Sequence, residues 1–198
     1  MKKTGSSFEL SATDLVGFLN CRHLSGLDRA VAEGALAKPE VWDPLLQILW
    51  ERGSIHEQNY VAHLEKAGLD VVPIHGVDVT GVAVTETLAA MQHGNSVIVQ
   101  GALSHDRWGG RVDILRRVDK PSAFGDWSYE ALDTKLARET RAGTVLQLCL
   151  YSDLLAAAQG VAPEYMYVVA PWSNFEPQQY RFVDCPVSAF MRQVEGSC

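Results

Sequence analysis

Apolar residues recur along the chain with two periods, and the change of period organises it. Leu15, Phe18 and Leu19 fall at helical spacing behind Ser11-Ala12-Thr13-Asp14, where Ser11 can cap a short helix and Asp14 favours its positive end. Asp43-Pro44 opens a longer helix, because Asp caps and Pro fits the first helical position. This helix is expected to run to about Ala67 and stop at Gly68, with Leu45, Leu49, Ile55 and Leu64 facing inward and Gly53 weakening its middle. Residues 70–74 read as a short strand and residues 85–93 as a short helix ended by Gly94. The period then shortens to two. Residues 96–103 form a strand, Trp108-Gly109-Gly110 a turn, residues 111–118 a second strand, residues 120–125 a loop, and residues 129–135 a third strand. A strongly periodic helix over residues 144–159 ends at Gly160, and residues 165–170 form a fourth strand. Helices, three strands, a helix and a strand predict an α/β fold: a mixed central sheet flanked by helices, with an N-terminal helical segment. Beyond Pro171 the pattern fades, so residues 173–198 read as an irregular tail.

Composition adds bounds. The 198 residues suit one domain, at most two, and 47% hydrophobic with 21% charged residues supports a packed core. No window approaches the roughly 18 apolar residues needed to span a bilayer. Lys2 and Lys3 are not followed by the apolar stretch of a secretory signal. Cys21, Cys149, Cys185 and Cys198 lack framework spacing, which predicts a reduced, cytoplasmic protein. The net charge of −7 argues against a simple nucleic-acid-binding coat. Residues 105–141 nevertheless hold eight Lys/Arg against seven Asp/Glu, so cations and anions mix there. On charge alone this is an ordinary solvated surface.

The chemistry concentrates in Gly110-Arg111-Val112-Asp113 and Leu132-Asp133-Thr134-Lys135. Asp113 interrupts an apolar strand, and Asp133 and Lys135 are two apart, on one face of theirs. If the strands are neighbours, two carboxylates and an ammonium converge. Adjacent carboxylates repel, and a divalent cation removes that penalty; oxygen ligands with open positions favour Mg²⁺ or Mn²⁺. Lys135 could then neutralise charge developing on a phosphate. Taken singly, the Asp-x-Lys triplet is more often a surface ion pair and a lone His56 more often structural. Gln147 and Tyr151, one turn apart in an otherwise apolar helix, could touch phosphate or sugar, or bond within the core.

In order, Gly53-x-x-His56-Glu57, Gly110-Arg111-x-Asp113, Asp133-x-Lys135 and Gln147-x-x-x-Tyr151 resemble the RecB-like nucleases of the PD-(D/E)XK superfamily. The resemblance covers roughly residues 8–172 and extends to CRISPR-associated RecB-like exonucleases. It is greater still to the nuclease domains at the N-terminus of superfamily 1 helicase proteins, which Leu10-Ser11-Ala12-Thr13-Asp14-Leu15 and Cys21-Arg22-His23-Leu24 also resemble. It implies a restriction-endonuclease-like core and a metal-dependent DNA nuclease, exonuclease-type on single strands or ends. It further implies that His56, Asp113 and Asp133 hold the metal with the Thr134 carbonyl, and that Lys135 is catalytic. Gln147 and Tyr151 would position DNA, Arg111 would touch phosphate, and Glu57 would support the ligands. A helicase domain or subunit is the implied partner beside DNA.

Many members of that group hold an iron–sulfur cluster with one early cysteine and three clustered late ones. Cys21 matches the early ligand, but only Cys185 and Cys198 follow the core, thirteen residues apart. Cys149 reads as a core residue. No cluster is therefore expected on this chain, and Cys21 would be a ligand only in a longer form, of which this chain would be a truncated piece. The competing reading is an inactive or accessory nucleic-acid-binding domain of nuclease fold within a larger nuclease–helicase protein.

Overall fold

The computed structural model describes residues 1–40, 42–137, 139–182 and 194. A two-stranded hairpin, β1 (Lys2–Thr4) and β2 (Ser7–Glu9), precedes α1 (Ala12–Asn20), α2 (Arg22–Ala32) and α3 (Pro44–Lys66). Then come β3 (Val71–Pro73), α4 (Gly81–His93), β4 (Val97–His105), β5 (Trp108–Val118), β6 (Ser128–Thr134), α5 (Ala142–Gln159), β7 (Tyr165–Val169) and β8 (Gln178–Arg181). The last eight elements after α3 build one sheet of order β3-β4-β5-β6-β7-β8 with two helices packed against it. Its core is antiparallel from β4 to β6, with β3 parallel to β4 and β7 parallel to β6. A parallel pair needs a crossover, and α5 supplies the one between β6 and β7. The chain is thus α/β with a mixed six-stranded sheet. Among the described residues no helix is long and apolar enough to cross a membrane.

The two faces bury different clusters. Leu148, Leu150, Leu154 and Leu155 of α5 pack with Met91 of α4, Leu15 of α1 and Val112 and Leu115 of β5. Tyr60 of α3 packs with Val97, Ile114, Leu132, Tyr167 and Val169 on the opposite face. Helix ends follow local chemistry. Asp43 Oδ1 accepts from Leu45 N at 2.9 Å. Gly68, Gly94 and Gly160 take positive φ just beyond α3, α4 and α5, where a side chain would be strained. At α1, Asp14 Oδ2 accepts from Ser11 N at 2.8 Å and Ser11 Oγ at 2.7 Å, while Oδ1 pairs with the N-terminal ammonium.

Several expectations are corrected. Leu45, Leu49 and Ile55 do not face inward: they are 62%, 45% and 56% exposed, and Leu64 is half-buried. Along α3 His56 and Tyr60 are buried and Val61 and Leu64 partly covered against the same cluster, all in its second half. Helix α4 starts at Gly81, because Thr80 Oγ1 accepts from Ala83 N four residues before the expected start. The turn between β4 and β5 is Asp106-Arg107, not Trp108-Gly109-Gly110, since Asp106 adopts φ +53° and Trp108 already pairs with His105. The region after Pro171 is not wholly irregular: β8 pairs with β7. Cys149 is buried and Cys21 exposed; Cys185 and Cys198 lie outside the described residues.

Candidate functional site

The site forms where β5 and β6 run side by side. Ile114 pairs with Leu132, which brings Asp113 beside Asp133 and Thr134. Thr134 N and Oγ1 both donate to Asp113 Oδ2, at 2.9 and 3.0 Å, and fix that carboxylate. Asp133 is fully buried, and Lys135 Nζ reaches its two oxygens at 3.0 and 2.8 Å. Burial, and next the negative charge of Asp113, push the Asp133 carboxyl up to about 8, against the opposing pull of Lys135. One ammonium therefore does not offset burial together with a second carboxylate in this pocket.

Helix α5 supplies the next wall. Gln147 Nε2 donates to the Tyr151 hydroxyl at 3.1 Å and lies 3.5 Å from Asp133 Oδ1, at the limit of hydrogen bonding. Burial raises the Tyr151 pKa, so its hydroxyl stays protonated. The tyrosine ring is seated on Gly110: a Cβ there would stand 2.4 Å from Tyr151 Cε1. The glycine of the Gly-Arg-x-Asp motif is thus a steric requirement of the Gln-x-x-x-Tyr motif.

Helix α3 supplies the third wall. His56 is buried, with Nε2 3.0 Å from Val169 O. A carbonyl only accepts, so Nε2 carries a proton and donates it to Val169 O. The same carbonyl accepts from Lys135 N at 3.0 Å, which uses both its lone pairs. Glu57 Oε1 accepts from Gln100 Nε2 at 2.7 Å. Burial raises the Glu57 pKa, and the charges of Asp113 and Lys135 act on it in opposite directions. Glu57 therefore belongs to the same electrostatic neighbourhood as the two aspartates.

Gln100 is the residue that sequence reasoning missed. It takes φ +55° in the middle of β4, a conformation that costs a non-glycine residue about 1–3 kcal/mol. The flanking pairs Val99↔Ile114 and Gly101↔Val112 set it opposite Asp113, where the ladder skips a pair. Strict alternation would put Val112 and Ile114 on one face, yet Val112 packs in the α5 cluster and Ile114 in the α3 cluster. Both strands exchange faces here, and Asp113 sits at the exchange. No side-chain pattern in β4 signals it.

Arg111 is anchored from the other side of the sheet edge, and its buried Nε has no hydrogen-bond partner. Its Nη1 donates to Asp78 O at 3.1 Å and its Nη2 to Ile74 O at 2.6 Å, both on the chain between β3 and α4. The structure brings together Asp113, Asp133, Thr134, Lys135, Gln147 and Tyr151, with Glu57 nearby. Among the described residues no three His, Cys, Asp or Glu side chains are grouped closely enough to hold a metal ion. The pair of carboxylates does fit a hard cation of the Mg²⁺ type, which keeps several waters and is held by one or two carboxylates plus substrate phosphate. Burial first and Asp113 next disfavour the charged form of Asp133, and a bound cation would offset both. No protein-family model matches the chain, and a search of the curated proteins found no significant match.

Proposed function

We propose that the chain is a divalent-metal-dependent deoxyribonuclease of the RecB-like, PD-(D/E)XK type, acting as an exonuclease on single strands or DNA ends. The observation that carries this reading is the buried Asp133 beside Asp113, with Lys135 Nζ on its carboxylate. The order helix, three antiparallel strands, helix, parallel strand supports the restriction-endonuclease-like core that the sequence resemblance implies.

Asp113, Asp133 and the Thr134 main-chain carbonyl would hold Mg²⁺ or Mn²⁺; His56, which is not grouped with both aspartates here, would have to move toward the ion to join them. A metal-ligating histidine ordinarily gives its other ring N–H to an acceptor such as a carbonyl, as Nε2 does to Val169 O. When bound, the ion would polarise a phosphodiester oxygen and acidify a water. Thr134 holds Asp113 in one orientation, so its second oxygen faces the site without rotamer search. Lys135 supplies positive charge where the phosphate gains negative charge during cleavage. Gln147 and Tyr151 line the side on which a DNA strand would lie. In this reading the enzyme works in the cytoplasm and a helicase domain or subunit feeds it single strands.

The test is cleavage of end-labelled single-stranded and duplex DNA with Mg²⁺, Mn²⁺ or EDTA. Metal-dependent products that vanish in EDTA and in both D113A and D133A are expected. Intact substrates with either metal, or full activity in either variant, overturn the proposal. DNA binding without cleavage would instead favour the accessory-domain reading.

A further inference from the structure

We propose that the cleft between α1, α2 and the start of α5 seats the stretch of single strand that adjoins the bond being cut, and that Arg141 binds a backbone phosphate there; this rests on the nuclease reading above.

The cleft has a volume of about 670 Å³ and is lined by Thr13 and Asn20 of α1, Asp28 of α2, and Arg141, Thr144 and Gln147 at the start of α5. Gln147 belongs to both places. It lines the cleft, and its Nε2 lies 3.5 Å from Asp133 Oδ1. The cleft is therefore continuous with the centre. Its two walls rest on each other, since a Cβ on Gly143 would stand 3.2 Å from Val16 Cγ1. A space of this size suits a drug-sized ligand. It takes a nucleotide or two of a single strand and excludes a duplex.

Arg141 is singled out by what the other cations of residues 105–141 do. Arg107, Arg111, Arg117 and Lys120 donate to backbone carbonyls, Arg116 lies over the Tyr167 ring, and Lys135 holds Asp133. Among the described residues the Arg141 side chain has no hydrogen bond, ion pair or ring contact. Its backbone, by contrast, is fixed: Arg141 O accepts from Thr144 N at 2.9 Å and from Val145 N at 3.2 Å. The anchor is set and the guanidinium is unspent. Gln147 follows six residues later, about 9 Å along the helix axis. From that distance a long side chain reaches a phosphate next to the one at the centre. Paired N–H donors in one plane match phosphate oxygens, and a neutral ligand would leave the charge uncompensated. Asp28 is the one acid among the lining residues, and it forms no ion pair with Arg141, so the α5 wall keeps its positive charge.

The experiment has two arms, run with the full chain as wild type, R141Q, R141K and R52Q. Arg52 is an exposed arginine of α3 that lies outside the cleft. The first arm is anisotropy titration of a labelled oligothymidylate in EDTA at several salt concentrations. The second is steady-state cleavage of the same strand with Mg²⁺. R141Q should bind about 10-fold more weakly, the size of a lost hydrogen bond to a charged group. Its slope of log affinity against log salt should shrink by about 0.7, the value of one single-strand phosphate contact. KM should rise by a like factor at unchanged kcat, because that phosphate is held equally before and during cleavage. R141K should keep the salt slope, and R52Q should match wild type. All four should melt at one temperature, since Arg141 has no partner to lose. Wild-type affinity and slope in R141Q, an equal loss in R52Q, or a fall in kcat alone overturns this inference and leaves the nuclease reading standing. A wild-type chain that neither binds nor cuts the strand overturns both.

Discussion

Lys135 Nζ lies 2.8 Å and 3.0 Å from the two oxygens of Asp133, a carboxylate with no solvent exposure. Even so, Asp133 is a stronger proton holder than an ordinary aspartate, because burial and Asp113 outweigh the ammonium. A bound cation and a proton are thus alternative ways of relieving the same charge.

The pH dependence of the metal-free protein follows. Burial, and next the charge of Asp113, push the Asp133 carboxyl up to about 8 from its ordinary 3.8, so folding favours its protonated form. That contribution is fully present below about pH 4 and is lost as pH rises through about 8. Melting temperature in EDTA should fall between pH 5 and pH 8.5, and D133N should flatten the fall. Added Mn²⁺ should restore stability chiefly at the alkaline end. An unchanged slope in D133N would show that another group dominates.

Lys135→Ala should lower the single-turnover cleavage rate by about 10²–10⁴, as for other positioned groups assisting charge or proton movement. Lys135→Arg should not rescue fully, since a planar guanidinium presents its charge differently to the two Asp133 oxygens. Cleavage at the wild-type rate in K135A removes Lys135 from the chemistry.

Gly110→Ala should destabilise by about 1–3 kcal/mol, the usual cost of overpacking, because its Cβ would stand 2.4 Å from Tyr151 Cε1 and the ring is buried. Combining G110A with Y151L, which removes the ring, should recover part of that loss. Denaturant melts of the single and double variants check this. Equal stability of G110A and wild type would mean that the ring moves freely.

His56→Ala leaves the Val169 carbonyl with one partner fewer and opens space beneath α3. A loss of about 1–3 kcal/mol is expected from the buried hydrogen bond. Weaker Mn²⁺ binding in the folded variant should accompany it. If stability falls and Mn²⁺ affinity does not, His56 serves only as the pin between α3 and β7.

Leu49→Lys should change stability by no more than about 0.5 kcal/mol, as for other surface substitutions, because Leu49 is exposed. Tyr60→Ala, three turns on in the same helix, should cost about 3–5 kcal/mol, the usual loss for a buried aromatic, because Tyr60 is buried in the α3 cluster. Comparable losses in the two variants would place the first half of α3 against the core.

The fold was legible wherever local chemistry decides it. Asp43-Pro44 and Gly68 bound α3, and Gly94 and Gly160 end α4 and α5, because caps and positive φ are read from single residues. Asp113, Asp133, Lys135, Gln147 and Tyr151 were also legible as a group, since strand alternation and helical spacing carry them to adjacent positions. The inward face of α3 was misread because helical period gives an apolar stripe without saying how far the sheet extends beneath it. Leu45 and His56 lie on one stripe, yet only His56 reaches the sheet. Helix α2 escaped notice because Arg22-His23 starts it with no side-chain cap and only Ser25 becomes buried. Gln100 escaped because its role comes from a backbone angle. The contacts of Arg111 with the Ile74 and Asp78 carbonyls were not legible either, because those partners are far away in sequence.

The Val169 carbonyl receives both His56 and Lys135. Position 169 therefore holds two parts of the site with an atom that every amino acid possesses. A mutational scan of that position would report only on the fit of its side chain in the core, and the junction itself would stay hidden. Replacing the following peptide link by an ester, which weakens the carbonyl as an acceptor, would expose it: α3 and the lysine segment should loosen together, as one unit.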